Sequence, residues 1–462
     1  MIGIQDAVET ALATSTADGC VAIGRESSET NLRWANNGLT TNGQMASRSV
    51  TVVSMLDGGS GTRVGSVTRS VATAGEVADL VRASEAAARA AGPAEDVAPL
   101  IEPYPNDDDW SAPATSTTVE VFASMTEALG RALREAQGAG RALFGFAEHV
   151  VTSTFLGTST GLRRRHDQPT GRLEVNAKSA DFTRSAWDGV ATRDFTDADV
   201  TAVVAGLNTR LDWAARAIEL PAGRYETILP PCAVSDLMID VYWAAAARDA
   251  DEGRSVFSPR DGSGTRIGER LSALPLNLYS DPSIARIACA PFEIASTSFG
   301  GVQSVFDNGA PMQRTDWIAD GVLRDLARSR AWAAQTQSEP RLLVDNLVLD
   351  GGSGESVEDM VAATERGLLL TTLWYIRTVD PQTLLVTGLT RDGVYLVEDG
   401  QVRGAANNFR FNESPVDLLA RATQAGASVP TLPREWSDYF SRVVMAPLRI
   451  PDFNMSTVSA AS

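Results

Sequence analysis

The densest alternation of apolar and polar residues lies between Glu365 and Leu419. Three runs rich in β-branched and aromatic residues alternate there with two tight turns: residues 368–376, 383–389 and 394–397, with Arg391-Asp392-Gly393 and Glu398-Asp399-Gly400. An Asp-Gly pair between apolar runs favours a hairpin, because Gly adopts the positive φ that short hairpin loops need. The pattern predicts an antiparallel meander whose last strand ends near Glu413, followed by a helix that Pro415 opens.

The N-terminal half alternates strand and helix patterns. Its predicted strands are residues 19–25, 29–35, 47–56, 63–70, 143–156 and 172–183. Its predicted helices are residues 74–91, 120–137 and 196–219, where Thr196 and Asp199 form a plausible capping pair. The Pro- and Asp-rich stretch 91–116, with Asp107-Asp108-Asp109, predicts a solvated connector.

These patterns together predict an α+β fold. We expect an N-terminal mixed α/β domain over residues 1–220, with sub-regions 1–92 and 117–220 on either side of the connector. A mainly antiparallel β domain follows over residues 221–462, as a sandwich or a barrel, with a few helices. Its clearest helical patterns are residues 233–249 and 316–335, and the length of the chain is sufficient for two hydrophobic cores.

The charge of the chain changes the expected partners. The chain has 58 acidic and 40 basic residues, which gives a formal net charge of −18. Nucleic-acid affinity rests on neutralising phosphates with Lys and Arg, so we expect no direct nucleic-acid binding. The one basic cluster, Arg163-Arg164-Arg165-His166, is interpreted as a solvated loop or a partner contact in preference to a nucleic-acid patch.

Hydropathy and cysteine usage predict a soluble, cytoplasmic protein. No run reaches the roughly 18 apolar residues that a membrane helix needs. The first 20 residues carry Asp6, Glu9 and Asp18, which indicates an amphipathic helix and no secretion signal. The three cysteines are odd in number and widely spaced, as is typical of a reducing compartment.

Four motifs carry a resemblance to a known family. They are RTVDPQTLLVTGLTRDGVYLVEDG at 377–400, NNFRFNESPVDLL at 407–419, ETNLRWANNG at 29–38 and GVLR at 321–324. The chain resembles the TldD/PmbA family, also called modulators of DNA gyrase, and within it the PmbA (TldE) branch. The resemblance covers nearly the whole chain.

The resemblance implies a zinc metalloprotease of two different subunits. In the TldD branch an HExxxH helix binds zinc and supplies a Glu as general base. The matching stretch here, residues 235–244, reads SDLMIDVYWA and contains no His, Glu or Cys. The resemblance therefore implies no catalytic or metal-binding residue and no cofactor on this chain, with zinc on a TldD-type partner. Such a heterodimer trims unstructured peptides, and a homodimer is an alternative when the partner is absent.

The last predicted strand carries the candidate contacts for a peptide or a partner: Asn407, Asn408, Phe409, Arg410 and Glu413. An exposed edge of the meander accepts an extended peptide as an added strand. Turn-capping amides beside a core Phe explain the same residues equally well.

Two other functions stay open at this point. One is an independent hydrolase that uses Cys232 or an unrecognised carboxylate. The other is a homodimeric binding or regulatory protein without enzyme activity. A Ser or Cys nucleophile needs a positioned base, and His149 lies in a strand-like run where we expect a structural histidine. We therefore predict that the isolated chain does not cleave peptides.

Overall fold

The computed structural model describes residues 2–105, 109–260 and 264–459 of the chain. The predicted connector residues Asp107 and Asp108 lie outside the described residues. The helices are α1 (Ile4–Thr14), α2 (Ala74–Ala90), α3 (Ala123–Gly138), α4 (Val200–Trp213), α5 (Pro231–Trp243), α6 (Ala247–Asp251), α7 (Arg330–Gln335), α8 (Val357–Ala362) and α9 (Pro415–Arg421).

The strands fall into three sheets. Those up to residue 229 are β1 (Gly19–Ala35), β2 (Gly38–Leu56), β3 (Arg63–Arg69), β4 (Arg141–Thr158), β5 (Arg163–Ser179), β6 (Ser185–Thr192), β7 (Ala217–Ile218) and β8 (Gly223–Leu229). The later ones are β9 (Asn277–Ser280), β10 (Thr315–Ala319), β11 (Val322–Leu323), β12 (Leu347–Asp350), β13 (Arg366–Leu370), β14 (Leu373–Asp380), β15 (Leu385–Thr390), β16 (Val394–Glu398), β17 (Gln401–Ala406), β18 (Phe409–Glu413), β19 (Gln424–Ala425), β20 (Val429–Thr431), β21 (Val443–Met445) and β22 (Leu448–Val458).

The first sheet is antiparallel and has the order β3-β2-β1-β4-β5-β6. The strands predicted at 19–25 and 29–35 form one continuous strand, β1. The prediction of a loop for the basic cluster at 163–166 is wrong, because β5 begins at Arg163 and pairs with β4 from there. The prediction failed because a run of arginines lacks the apolar alternation that marks a strand.

Local sequence sets the helix ends of this half. Thr73 and Glu76 form a reciprocal capping box at the start of α2, as this residue spacing favours. Helix α4 begins at Val200, where the Asp199 carboxylate accepts from the Ala202 amide at 2.9 Å. The predicted start at Thr196 is wrong, because the Thr196 hydroxyl donates to Asp194 instead.

The remaining strands form two open sheets, so the barrel alternative is wrong for the described part of the chain. A six-stranded sheet has the order β11-β10-β9-β12-β21-β20, and a ten-stranded sheet has the order β14-β15-β18-β22-β8-β13-β16-β17-β7 with β19 beside β22. The largest hydrophobic cluster joins side chains of both sheets to α5. Helix α5 is therefore the central element of this core.

The predicted meander is present only in parts. β14 pairs with β15 and β16 pairs with β17, the latter through the turn at Asp399-Gly400. β15 and β16 do not pair: β15 lies beside β18, and β16 lies beside β13. The Asp392-Gly393 turn therefore carries the chain between distant positions of one sheet and does not close a hairpin.

The helix predicted at 316–335 is wrong over most of its length. Asp320 and Gly321 adopt positive φ angles of 51° and 71° and join β10 to β11. Only α7 at its end is helical. The helix predicted at 233–249 is interrupted between α5 and α6, where the Ala246 backbone is extended.

Candidate functional site

Helix α5 carries two buried carboxylates, one turn apart. Asp236 is fully buried and Asp240 is 8% exposed. Asp236 Oδ1 accepts from the Glu435 amide at 3.0 Å, whereas Asp236 Oδ2 and Asp240 Oδ2 have no hydrogen-bond partner among the described residues. Burial raises the pKa of Asp236 well above its usual range and the pKa of Asp240 to about 7. Burial therefore disfavours the ionised form of both side chains.

Glu435 connects α5 to the ten-stranded sheet. Its carboxylate accepts from the Tyr375 amide at 2.9 Å, from the Ile376 amide at 3.2 Å and from Arg377 Nη1 at 2.9 Å. Tyr375 has a φ of 52°, and the pairing of β14 with β15 is irregular at this point. The Glu435 carboxylate thus satisfies two backbone amides that the irregularity frees from the sheet.

The residues around α5 do not fit a zinc ion. Within residues 2–105, 109–260 and 264–459, no three His, Cys, Asp or Glu side chains are placed to hold a metal. His149 lies in β4, where Nδ1 is 2.7 Å from Thr117 Oγ1 and Nε2 is 2.6 Å from the Arg193 carbonyl oxygen. His166 lies in β5, with Nε2 3.1 Å from Gln168 Oε1. Both histidines are structural residues of the first sheet, as expected for His149.

A cavity of about 460 Å³ opens between the first sheet and the C-terminal core. Two edge strands line it, β6 with Trp187–Ala191 and β20 with Val429–Thr431, and the N-terminus of α5 contributes Pro230–Cys232. Arg210 is held on its wall, donating to the Trp187 carbonyl at 2.8 Å and lying 3.3 Å from the Asp188 carboxylate.

Cys232 lines this cavity but is poorly suited to act as a nucleophile. Burial raises the pKa of its thiol well above the usual range, and the nearby Asp236 raises it further. Among the described residues no base is hydrogen-bonded to the thiol, and both histidines lie in the first sheet. This arrangement gives no support to a cysteine hydrolase.

The predicted contact residues between Asn407 and Glu413 divide into buried and exposed positions. Asn407 Oδ1 accepts from the Leu220 amide at 2.7 Å, and Asn408 Oδ1 accepts from the Thr390 hydroxyl at 3.3 Å. Phe409 is fully buried in the core. Glu413 is 4% exposed; it accepts from the Asn454 amide at 2.7 Å and pairs with Arg421.

Arg410 is the exposed member of the set. Phe409, Arg410 and Glu413 lie in β18, whereas Asn407 and Asn408 lie in the link between β17 and β18. The polar side-chain atoms of Asn407, Asn408 and Glu413 bond to other parts of the same chain.

Comparison with known proteins decides the family. The model of the PmbA/TldA metallopeptidase C-terminal domain matches residues 222–457, just over half of the chain. The chain belongs to the TldD/PmbA family.

Solved structures show the same fold over nearly the full chain. TldE from Thermococcus kodakarensis is similar with a TM-score of 0.76 at 16% identity, covering 97% of this chain and 99% of that one. A proposed modulator of a DNA gyrase from Thermotoga maritima gives 0.73 at 16% identity, with coverage of 94% and 96%. Another from Bacteroides thetaiotaomicron gives 0.75 at 14% identity, with 98% of each chain covered. No curated protein matches the chain.

In this TldD/PmbA chain, sequence reasoning missed the residues that surround α5 in space. Arg434, Glu435 and Trp436 all contact α5 or the adjoining sheet, although they follow it by about 200 residues. The available signal was a charged and aromatic triplet directly after Pro433. No helix of the described part of the chain is long and apolar enough to span a membrane.

Proposed function

We propose that this chain is the zinc-free TldE-type subunit of a cytoplasmic TldD/TldE metalloprotease. In this proposal a TldD-type partner supplies the zinc and the general base, and this chain helps to hold unstructured peptides for cleavage. The observation that carries the proposal is the composition of α5. Its buried polar face holds Asp236 and Asp240 where the family resemblance implies a His-Glu motif in the other branch.

The electrostatics of α5 support a subunit without metal. A carboxylate must lose its proton before it binds a metal ion. Burial favours the protonated form of Asp236 and Asp240, and Glu435, the nearest acid, is already bound by two amides and Arg377. A metal ion bound here would have to offset the free-energy cost of ionising two buried carboxylates, and too few further ligands surround α5 to do so.

The cavity between β6 and β20 supports a role in peptide binding. An edge strand offers main-chain donors and acceptors, which bind extended chains with little dependence on sequence. The apolar walls from Trp187, Trp213 and Val429 accommodate side chains of such a peptide. On β18 we assign the predicted peptide or partner contact to Arg410, because its side chain is exposed.

Metal analysis and peptide cleavage test the proposal together. The chain is purified alone, and also after co-expression with a TldD-type protein from the same genome. We expect no bound zinc and no cleavage of casein for the lone chain, and about one zinc per heterodimer with chelator-sensitive cleavage for the complex. As a matched control, Ala replaces both motif histidines of the TldD-type protein, which should remove zinc and activity but leave the complex intact.

Two outcomes would overturn this proposal. Stoichiometric zinc or chelator-sensitive cleavage by the lone chain would make it an independent hydrolase, and the carboxylates of α5 would be the first residues to replace. Failure of the two proteins to co-purify, with the lone chain still binding unfolded peptides, would make it a binding protein that works without this partner.

A further inference from the structure

A second cavity, of about 430 Å³, opens where the connector meets three segments of the chain that follow residue 309. Three arginines line it: Arg314 just before β10, Arg330 at the start of α7 and Arg341 shortly after α7. Its volume lies in the range of ordinary small-molecule sites. The wall also contains apolar side chains: Ile101, Pro311, Met312, Pro340 and Leu342.

Arg330 is held so that one of its nitrogens stays available. Its Nε donates to Asp307 Oδ1 at 2.7 Å, and its Nη2 donates to the carbonyl oxygens of Pro99 and Phe306, both at 2.6 Å. Nη1 makes no hydrogen bond to any described residue. Because the contacts on the other nitrogens already fix the side chain, a ligand that binds Nη1 does not have to order it.

Arg341 is held in the same way by a different carboxylate. Its Nε donates to Asp325 Oδ2 at 2.7 Å and its Nη1 donates to the Pro340 carbonyl at 3.0 Å. Asp325 is itself fixed, because its Oδ1 accepts from Arg328 Nη2 at 2.6 Å. Nη2 of Arg341 has no hydrogen-bond partner within the described part of the chain. Two guanidinium groups on one cavity can therefore supply one charge-assisted donor to each oxygen of a carboxylate.

Arg314 adds a third positive charge to the wall. Both its Nε and its Nη2 donate to Asp316 Oδ1, at 3.1 Å and 2.8 Å, and its guanidinium lies 3.8 Å from the ring centroid of Tyr279. Its side chain is 49% exposed. Arg314 therefore contributes mainly through its charge and can be replaced without disturbing the core.

The ion pairs around the cavity leave one positive charge in excess. They comprise four arginines and three aspartates: Arg314, Arg328, Arg330 and Arg341, with Asp307, Asp316 and Asp325. One excess charge matches a carboxylate better than a phosphate ester, which carries close to two negative charges at neutral pH. The net charge of −18 on the whole chain further disfavours a doubly charged anion.

We propose that this cavity binds a carboxylate group attached to an apolar chain. Arg330 and Arg341 bind the carboxylate, Arg314 attracts it, and the apolar wall residues contact the chain that carries it. The same chemistry occurs at the C-terminus of an apolar peptide and in a free aliphatic acid. The inference does not depend on the function proposed above, because it concerns the lone chain and no cleavage step.

Isothermal titration calorimetry of the full chain, purified alone, tests the site. The probes are N-acetyl-Leu-Leu and octanoate, with N-acetyl-Leu-Leu amide and 1-octanol as their uncharged counterparts. We expect each acid to bind at least tenfold more tightly than its uncharged counterpart, because only the acid pairs with the guanidinium groups. The tighter of the two acids shows whether the carboxylate comes from a peptide or from a free acid.

Two arginine variants assign the binding to this cavity. Arg341→Gln should weaken the binding of the acids at least tenfold, and Arg314→Gln should weaken it at least threefold. Arg314→Gln remains informative if Arg341→Gln fails to fold, because Arg314 pairs only with the half-exposed Asp316. Arg131→Gln, which removes an exposed pair with Glu127 on α3, is the matched control and should bind as the wild type does. Circular dichroism melting checks that each variant is folded.

Several outcomes would overturn the proposal. One is the absence of binding by both acids at about 10 mM, and another is equal affinity for the acids and their uncharged counterparts. Wild-type affinity in both Arg314→Gln and Arg341→Gln would show that the acids bind elsewhere. Tighter binding of inorganic phosphate than of either acid would contradict the assignment to a carboxylate.

Discussion

Arg434 and Asp392 form an ion pair in the interior of the molecule, with 2.7 Å between Nη2 and Oδ2 and side chains only 8% and 11% exposed. The guanidinium also lies 5.1 Å from the ring centroids of Trp187 and Trp374. The Ser185 hydroxyl donates to the same carboxylate. Burial alone would raise the pKa of Asp392, but Arg434 and Ser185 hold it below its usual range. The pair therefore joins the first sheet to the C-terminal core.

Removing the cation should destabilise the fold strongly. In Arg434→Met the Asp392 carboxylate stays buried without its partner, which costs about 3–5 kcal/mol of unfolding free energy. Urea unfolding measures this loss. The double variant Arg434→Met/Asp392→Asn should recover a large part of it, because no isolated charge is left. As a control, Arg82→Met removes an exposed ion pair with Asp79 and should change the free energy of unfolding by less than about 1 kcal/mol. An equal loss of unfolding free energy in Arg434→Met and Arg82→Met would contradict the argument.

The surroundings of this ion pair show which parts of the fold local sequence predicts and which it does not. Strand and turn types around Asp392 and Asp399 follow from local residues, because Asp-Gly turns and β-branched runs act over a few positions. Which strands pair does not follow from local residues. β16 pairs with β13 and β15 pairs with β18, and the paired residues are distant in the chain. The missing zinc motif in α5 is visible in the sequence. The cavity that α5 shares with β6 and β20 depends on three segments meeting in space, which no local pattern encodes.

Asp240 should make stability depend on pH. Its pKa is about 7 in the folded chain against roughly 3.9 when unfolded, so the folded state keeps a proton that the unfolded state loses. The unfolding free energy therefore falls as the pH rises from about 4 to about 7. Asp240→Asn cannot ionise, so its stability relative to wild type should increase across that window. Thermal melting at several pH values measures this dependence, and Glu127→Gln, at an exposed glutamate, is the control. If the melting temperatures of wild type and Asp240→Asn change in parallel with pH, the prediction is wrong.

Arg164 holds Tyr104, in the connector within the N-terminal domain, next to Phe292 of the C-terminal domain. Its guanidinium lies 4.9 Å from the Tyr104 ring centroid and 4.6 Å from that of Phe292, and the side chain is buried. Tyr104 in turn donates to the Gly309 carbonyl at 2.9 Å. Arg164→Ala should remove both ring contacts, lower the unfolding free energy by about 2 kcal/mol and open residues 93–105 to proteolysis. Arg134→Ala, an exposed arginine on α3, provides the control, and equal cleavage rates in the two variants would count against this role.

Gly400 should tolerate no side chain, because two constraints meet at this hairpin. Its φ is 73°, and a Cβ atom would lie 2.5 Å from the Ala362 carbonyl oxygen. The Gly400 amide also donates to the Thr364 carbonyl at 2.8 Å, so the turn cannot move away without losing that bond. We expect Gly400→Ala to lower the unfolding free energy by at least about 2 kcal/mol in urea. Gly59→Ala, where a Cβ meets nothing within 4 Å, should change it by less than about 0.5 kcal/mol. If the two variants unfold at the same urea concentration, neither the left-handed backbone nor the close carbonyl determines the choice of glycine here.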